Sequence, residues 1–187
     1  MKNSLALAVS IFAIGLSVYA PAQKMDMNPM VGGMTMMASK NIVENAMNSK
    51  DHTTLVAAVK AAGLVDALMG KGPFTVFAPT NDAFENLPMG TVDGLLMPEN
   101  RAMLTKVLTY HVVAGRMDSK AIKKAIQAGG GRATMKTLSG GMLTAMMNGA
   151  TNIVLRDEMG NVASISTYDV MQSNGVIHVI NSVLLPR

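Results

Sequence analysis

Phe74-Thr75-Val76-Phe77-Ala78-Pro79-Thr80-Asn81-Asp82-Ala83-Phe84 is the stretch on which the reading of this chain turns. Phe74 to Ala78 is a β-rich run of aromatic, β-branched and small residues, the pattern of a buried strand. Pro79 has no N–H to give to a ladder and stops it. Thr80 or Asn81 then offers a side-chain oxygen to the free N–H groups that open a helix, and Asp82 and Glu85 suit its positive end. Phe84 and Leu87 point inward from that helix, and Pro88 ends it. Phe77 and Phe84 thus anchor one core from two elements, and Pro79-Thr80 is the corner between them.

Upstream the pattern is helical. Asn41 to Asn48 is a short apolar segment. Asp51 to Ala62 carries Leu55, Val59 and Ala62 on one face and stops at Gly63. Leu64 to Met69 is a further short helix. Downstream, Thr91 to Leu96 and Pro98 to Thr109 are predicted helical, Tyr110 to Ala114 a strand closed by Gly115, and the stretch opened by Asp118 or Ser119 a helix with Ile122, Ala125 and Ile126 inward. From Ala133 onward the chain turns to short β-type runs: Ala133 to Leu138, Met142 to Met147, Ile153 to Arg156, Val162 to Thr167 and Val176 to Ile180. Ser139-Gly140-Gly141, Asn148-Gly149, Gly160-Asn161 and Asn174-Gly175 separate them as turns. Helices before strands, with one early and one middle strand, predict an α+β fold with helices laid on a mostly antiparallel sandwich. No internal repeat divides it.

The composition agrees with one packed domain. The chain has 187 residues, 49% of them hydrophobic and 15% charged. That is too apolar for a disordered chain and long enough for one core. It contains no Cys, which excludes disulfides, cysteine–zinc sites and thiol nucleophiles. It has no Trp and few other aromatics, and its net charge of +4 is spread along the chain. Neither a base-stacking platform nor a phosphate-tracking stripe follows, so nucleic acid is not an expected partner. Methionine is in excess, at 19 residues.

Two segments stand before the body. Residues 1–22 carry Lys2, an apolar run from Leu5 to Val18, and Ala20-Pro21-Ala22 in the small-x-small form of a cleavage site. This predicts a secretory signal peptide, and the run is too short for the roughly 20 residues a membrane helix needs. No later stretch reads as a membrane span. Residues 23–37 crowd Met25, Met27, Met30, Met34, Met36 and Met37 around Pro29, Gly32 and Gly33. No periodicity survives there, so the expectation is a flexible leader. Thioethers select soft ions, and Cu(I) or Ag(I) binding by this segment is the alternative function. The folded domain is expected over residues 38–187, outside the cytoplasm, in the periplasm, at the cell surface or secreted.

Residues that could do chemistry do not assemble in the sequence. There is no Gly-x-Ser-x-Gly elbow, which counts against an esterase. His52 stands beside Asp51 and Thr53 at a helix start, where solvation is expected. His111 and His178 each lie within an apolar strand-like run, without His-x-His or His-Glu-x-x-His spacing. They read as core imidazoles. Most of the 12 acids fall at caps or turns. Gly129-Gly130-Gly131-Arg132 follows a helix, the reverse of a phosphate cradle. Lys120, Lys123 and Lys124 read as a solvated helix face. No catalytic residue, metal site or cofactor is expected.

The opening stretch, with Leu108-Thr109-Tyr110-His111-Val112-Val113 and the closing run Asn174-Gly175-Val176-Ile177-His178-Val179-Ile180-Asn181-Ser182-Val183-Leu184-Leu185-Pro186, resembles the three signatures of the fasciclin (FAS1) domain, in their order. The resemblance covers about residues 38–186 and is closest in kind to single-domain secreted bacterial members. It implies a wedge-shaped β-sandwich flanked by helices, a role in cell adhesion or matrix attachment, and no cofactor. It also implies two contact sites, because animal members that bind integrins use a Tyr-His motif and an Asp-Ile motif. Tyr110 and His111 match the first. Asp169, Val170 and Met171 occupy the place of the second, with Val170 for Ile, and Thr167 and Tyr168 replace the acidic residue and Pro that precede it. The expected protein is an exported, non-enzymatic, monomeric interaction module. Its expected partner is a surface or matrix protein or a glycan.

Overall fold

The computed structural model describes residues 28–187; the expected signal peptide and Gln23 to Met27 lie outside the described residues. The helices are α1 (Ile42–Asn48), α2 (Thr53–Ala62), α3 (Val65–Met69), α4 (Asn81–Glu85), α5 (Thr91–Leu96), α6 (Arg101–Tyr110) and α7 (Ser119–Ala128). The strands are β1 (Met30–Val31), β2 (Met34–Thr35), β3 (Phe74–Pro79), β4 (Val112–Ala114), β5 (Arg132–Lys136), β6 (Met142–Asn148), β7 (Asn152–Arg156), β8 (Val162–Gln172) and β9 (Gly175–Ile180). Single 3-10 turns over Lys50–His52 and Pro98–Asn100 lead into α2 and α6.

Seven strands form one sheet in the order β4-β3-β9-β8-β7-β6-β5. Every pairing is antiparallel except β3 with β9, where Phe77 lies beside His178. A bridge from Val113 to Thr137 brings the two ends of the sheet together, so the sandwich is close to a barrel. This is the α+β architecture expected from the sequence.

The sheet separates two apolar cores. On its outer side Val76, Ala78, Ile177 and Val179 meet Leu55 and Val59 of α2, Phe84 of α4 and Leu104 and Leu108 of α6. Inside the curl Phe77, Leu143, Ile153, Leu155 and Ile180 meet Ile122 and Ile126 of α7. Alternation along β3 sends Phe77 to one core and Val76 and Ala78 to the other. That is why this strand reads as an unbroken apolar run. The corner after it forms as the sequence predicts, because the Thr80 side chain accepts from Ala83 N at 3.3 Å and caps α4. Asp118 caps α7 in the same way, accepting from Ala121 N at 2.7 Å.

Phe77 and Phe84, expected to share one core, lie in different ones, Phe77 inside the curl and Phe84 outside it. Four further expectations are corrected. Residues 28–37 do not trail as a flexible leader. β1 and β2 form a small hairpin through Gly32 and Gly33, and Val31 and Met36 are buried in the outer core. A Cβ on Gly32 would stand 2.6 Å from Lys50 N, so only glycine lets the hairpin dock there. Its unbranched, pliable side chain lets Met36 fill the resulting gap. Secondly, Tyr110 ends α6 instead of opening a strand, and β4 begins at Val112. Burial of the Tyr110 ring outweighs the β-propensity of its neighbours. Thirdly, β8 runs on past Thr167, where the strand-like run was expected to end, and takes in Asp169, Val170 and Met171. The pairing of β8 with β9 is irregular between Thr167 and Val170, and the extra residues bulge without ending the ladder. Lastly, His52 is buried, not solvated, because the hairpin covers it.

Candidate functional site

Tyr110 and His111 stand where α6 gives way to β4, and both side chains face inward. Tyr110 has no exposed surface. Its hydroxyl donates to the Met142 carbonyl at 2.8 Å and accepts from Glu158 N at 3.1 Å, tying the helix to the far half of the sheet. Burial pushes the phenol pKa up to about 12. A Cβ on Gly141 would strike the Tyr110 ring at 2.8 Å, so the turn after β5 is shaped around it. His111 is 3% exposed. Its Nε2 accepts from Leu184 N at 3.0 Å, so Nδ1 holds the proton and donates to the Val107 carbonyl at 2.8 Å. Burial lowers its pKa to about 4, against the opposing pull of the Val107 carbonyl and Asp157.

Asp169 is the second expected site, and its backbone explains its identity. It has φ +56, a left-handed conformation that Asp tolerates better than most residues. There its carboxylate reaches the start of α7. Oδ1 accepts from Ser119 N at 2.6 Å and Oδ2 from the Ser119 hydroxyl at 2.5 Å. Asp169 N donates to His178 Nδ1 at 3.3 Å, and His178 Nε2 donates to the Met117 carbonyl at 2.9 Å. His178 is fully buried, and burial lowers its pKa. Val170 is 1% exposed and packs in the outer core, while Met171 and Asp169 are half-buried.

The two places meet through the interior. The His111 carbonyl accepts from Phe77 N at 2.9 Å. The Phe77 ring stacks on His178 at 5.7 Å, and His178 takes the Asp169 N–H. Tyr110, His111, Phe77, His178 and Asp169 therefore form one chain of contacts from α6 to α7 across β3 and β9. Of the residues expected to make contacts, Tyr110, His111 and Val170 keep almost no exposed surface and are bonded or packed within the chain, whereas Asp169 and Met171 are half-buried.

His52 completes the set of neutral imidazoles. Its Nδ1 lies 2.8 Å from the Ser49 hydroxyl, and Nε2 has no hydrogen-bond partner among the described residues. Burial lowers its pKa, which the Ala78 carbonyl and Asp51 offset only in part. Among the described residues no three His, Cys, Asp or Glu side chains are grouped to hold a metal ion. An apolar cavity of about 50 Å³ lies under α2, between Leu55, Val59, Val76 and Ile177. It has none of the convergent polar groups that orient a substrate. Of the methionines singled out near the N-terminus, Met36 is buried, Met30, Met34 and Met37 are exposed, and Met25 and Met27 lie outside the described residues.

The residues that the sequence does not bring together are Arg132, Arg156 and Arg187. The structure gathers them around a shallow depression on the solvent side of β5 to β7. Alternation would have put Arg132 and Lys136 on one face of β5, but the strand order that brings Arg156 beside them has no local signature.

The comparisons with known proteins agree with this architecture. The family model of the fasciclin domain matches residues 50–186. Protein sll1483 of Synechocystis sp. is 42% identical over 182 residues, 96% of this chain and 93% of the relative. Cell surface glycolipoprotein MPB83 of Mycobacterium bovis is 34% identical over 160 residues, 83% of this chain and 64% of the relative. Among solved structures, a FAS1 domain pair from the insect cell adhesion molecule Fasciclin I aligns with a TM-score of 0.70 at 19% identity, covering 78% of this chain and 51% of that one. The corner at Pro79-Thr80, the buried Tyr110-His111 joint and the closing strand β9 all fall within the matched residues, and the chain belongs to the fasciclin domain family.

Proposed function

We propose that the protein is an exported interaction module that adheres to a component of a surface or matrix and catalyses nothing. The observation that carries this reading is the fate of its polar chemistry. Tyr110, His111, His178 and Asp169 are all bonded to other parts of the chain. The buried imidazoles are held neutral, with pKa values displaced downward and away from the range of a base that works near pH 7. What such a molecule offers is its exterior. A cell surface glycolipoprotein and a cell adhesion molecule among its relatives support this reading, as does the secretory character of residues 1–22. Among the described residues no helix is long and apolar enough to cross a membrane.

The test pairs fractionation with binding. The native cell is separated into cytoplasm, periplasm, envelope and medium, and the purified protein is sedimented with native envelope over a range of concentrations. Presence outside the cytoplasm with saturable co-sedimentation is the expected result. Retention in the cytoplasm, or no uptake by the envelope, overturns the reading.

A further inference from the structure

The depression over β5 to β7 has a volume of about 370 Å³ and three arginines at its walls, Arg132, Arg156 and Arg187, with Thr144 on its floor. All three arginines are exposed. Register places them. Thr144 pairs with Arg156, and Arg132 pairs with Met146 one step along β6. Lys136 follows Arg132 on the same outward face. The three strands, RATMK, MLTAMMN and NIVLR, contain no Asp or Glu.

Two carboxylates do border the depression, and both are already engaged. Asp157 is 6% exposed; it accepts from Asn161 N and Nδ2, both at 2.8 Å, and from Leu185 N at 2.9 Å. Glu158 accepts from Met142 N at 3.0 Å and from Arg187 N at 3.2 Å. These bonds leave both carboxylates charged; Arg187 offsets Glu158, and Arg132, Arg156 and Lys136 outweigh the single buried charge of Asp157, so the face keeps an excess of positive charge.

Strand geometry sets the spacing of those three. Arg132 and Lys136 are four residues apart on one strand, roughly 13 Å, and Arg156 is two strands across, roughly 10 Å. Lys136 does not line the depression that Arg132 and Arg156 share, so a single small anion bound there would leave it unused. A polymer that repeats its negative charge could meet all three, with guanidinium forks suited to carboxylate or sulfate. The face offers no aromatic anchor of the kind that dominates contacts with folded proteins.

We infer that the outward face of β5, β6 and β7, centred on Arg132, Arg156 and Lys136, is the adhesive surface and that it binds an acidic polysaccharide. This rests on the interaction-module reading and names the partner class for it.

The experiment measures binding of the chain as exported to alginate, a uronate polymer, with neutral dextran and duplex DNA as comparisons. Alginate should bind, dextran should not, DNA should bind more weakly at equal charge, and raising the salt should weaken the alginate complex. The Arg132→Glu, Arg156→Glu double variant should lose roughly tenfold or more in affinity while keeping its Tm. The Lys120→Glu, Lys124→Glu variant makes the same change in net charge on α7, on the other side of the sheet, and should bind as the unaltered chain does. Failure to bind alginate, preference for DNA, or equal loss in the two variants overturns the assignment. Native envelope separates the two claims. If the Arg132/Arg156 variant still adheres to it fully, this face is not the adhesive one and the module reading stands. If the unaltered chain does not adhere, the module reading itself falls.

Discussion

β3 and β9 are covered on both faces, whereas β5, β6 and β7 are covered on one. Along β9 every residue is buried, and His178 with its Tyr168 and Phe77 neighbours sits in the middle of the molecule. Along β5 the exposed and buried positions alternate, with Arg132, Thr134 and Lys136 outward. In the covered half each side chain answers to packing on whichever side it points. In the open half the outward residues of β5 and Arg156 at the end of β7 are released from packing and are free to serve a partner. Residues with apparent chemistry, the histidines and Tyr110, fall in the covered half and in its joints; the adhesive face is built from the released positions of the other half.

The largest effect expected from breaking this contrast is at Phe77. It has no exposed surface and stacks on His178. Phe77→Ala removes an aromatic ring from the centre of the barrel and should cost about 3–5 kcal/mol in urea-induced unfolding. An unchanged Tm would mean that the covered half is not the structural half.

Acid comes next. His111 has its folded pKa lowered to about 4, below the ordinary value of 6.5. The unfolded chain takes up the proton first as pH falls, so the stability that rests on the neutral ring is complete above about pH 6.5 and is lost as pH falls toward about 4. The loss should be on the order of 3 kcal/mol, and His52 and His178 act in the same direction. Unfolding midpoints measured at about pH 7 and about pH 4.5 should fall together with pH in the native chain and fall less in His111→Asn. A flat profile would place the imidazoles in water. Binding through the arginines of the open half should not follow this titration while the fold persists, because guanidinium stays charged throughout.

The strands of both halves were legible in the sequence, and the cluster of arginines on the open half was not. Phe74 to Ala78, Pro79 and Thr80 gave strand, stop and cap from local chemistry alone. The apolar positions 122 and 126, one helical turn apart, showed the inward face of α7. Where the reading went astray, a distant contact decided. Tyr110 looks like a strand residue, but its hydroxyl bridges to Met142 and Glu158 more than 30 positions away. Residues 28–37 lack any period, yet Gly32 fits against Lys50 and Met36 fills the gap beside His52. Asp169 looks like a turn residue, and its turn-like φ is real, but the strand continues past it because Ser119 holds its carboxylate. Arg132 and Arg156 carry no mark at all until strand order makes them neighbours.

Asp169 is the place where the two halves test each other. If its carboxylate serves mainly to fasten β8 to the start of α7, Asp169→Ala should cost about 2–3 kcal/mol, since it loses two bonds to a charged acceptor and puts a less tolerant residue at φ +56. Asp169→Asn keeps the tolerance for that backbone and one acceptor, and should lose about half as much. Urea midpoints of both variants check the order. A variant that keeps its midpoint yet no longer adheres to native envelope would instead make Asp169 a contact residue, as the resemblance to animal members implied.

The smallest effect on stability is expected in the open half, and it is the sharpest test of the contrast. Arg156→Gln removes one charge from an exposed strand position whose backbone pairing with Thr144 and Val162 is untouched. Gln keeps a polar, flexible side chain at a solvent-facing position, so the ladder and the core beneath it, Leu155 and Ala145, should not respond. A change within about 0.5 kcal/mol is therefore expected in urea unfolding. Thr134→Ala on β5 should be similarly mild if the face is open, because Thr134 is an exposed outward position. Should either substitution cost as much as a core truncation, the outward face is covered by something, and β5 to β7 would belong with β3 and β9 after all.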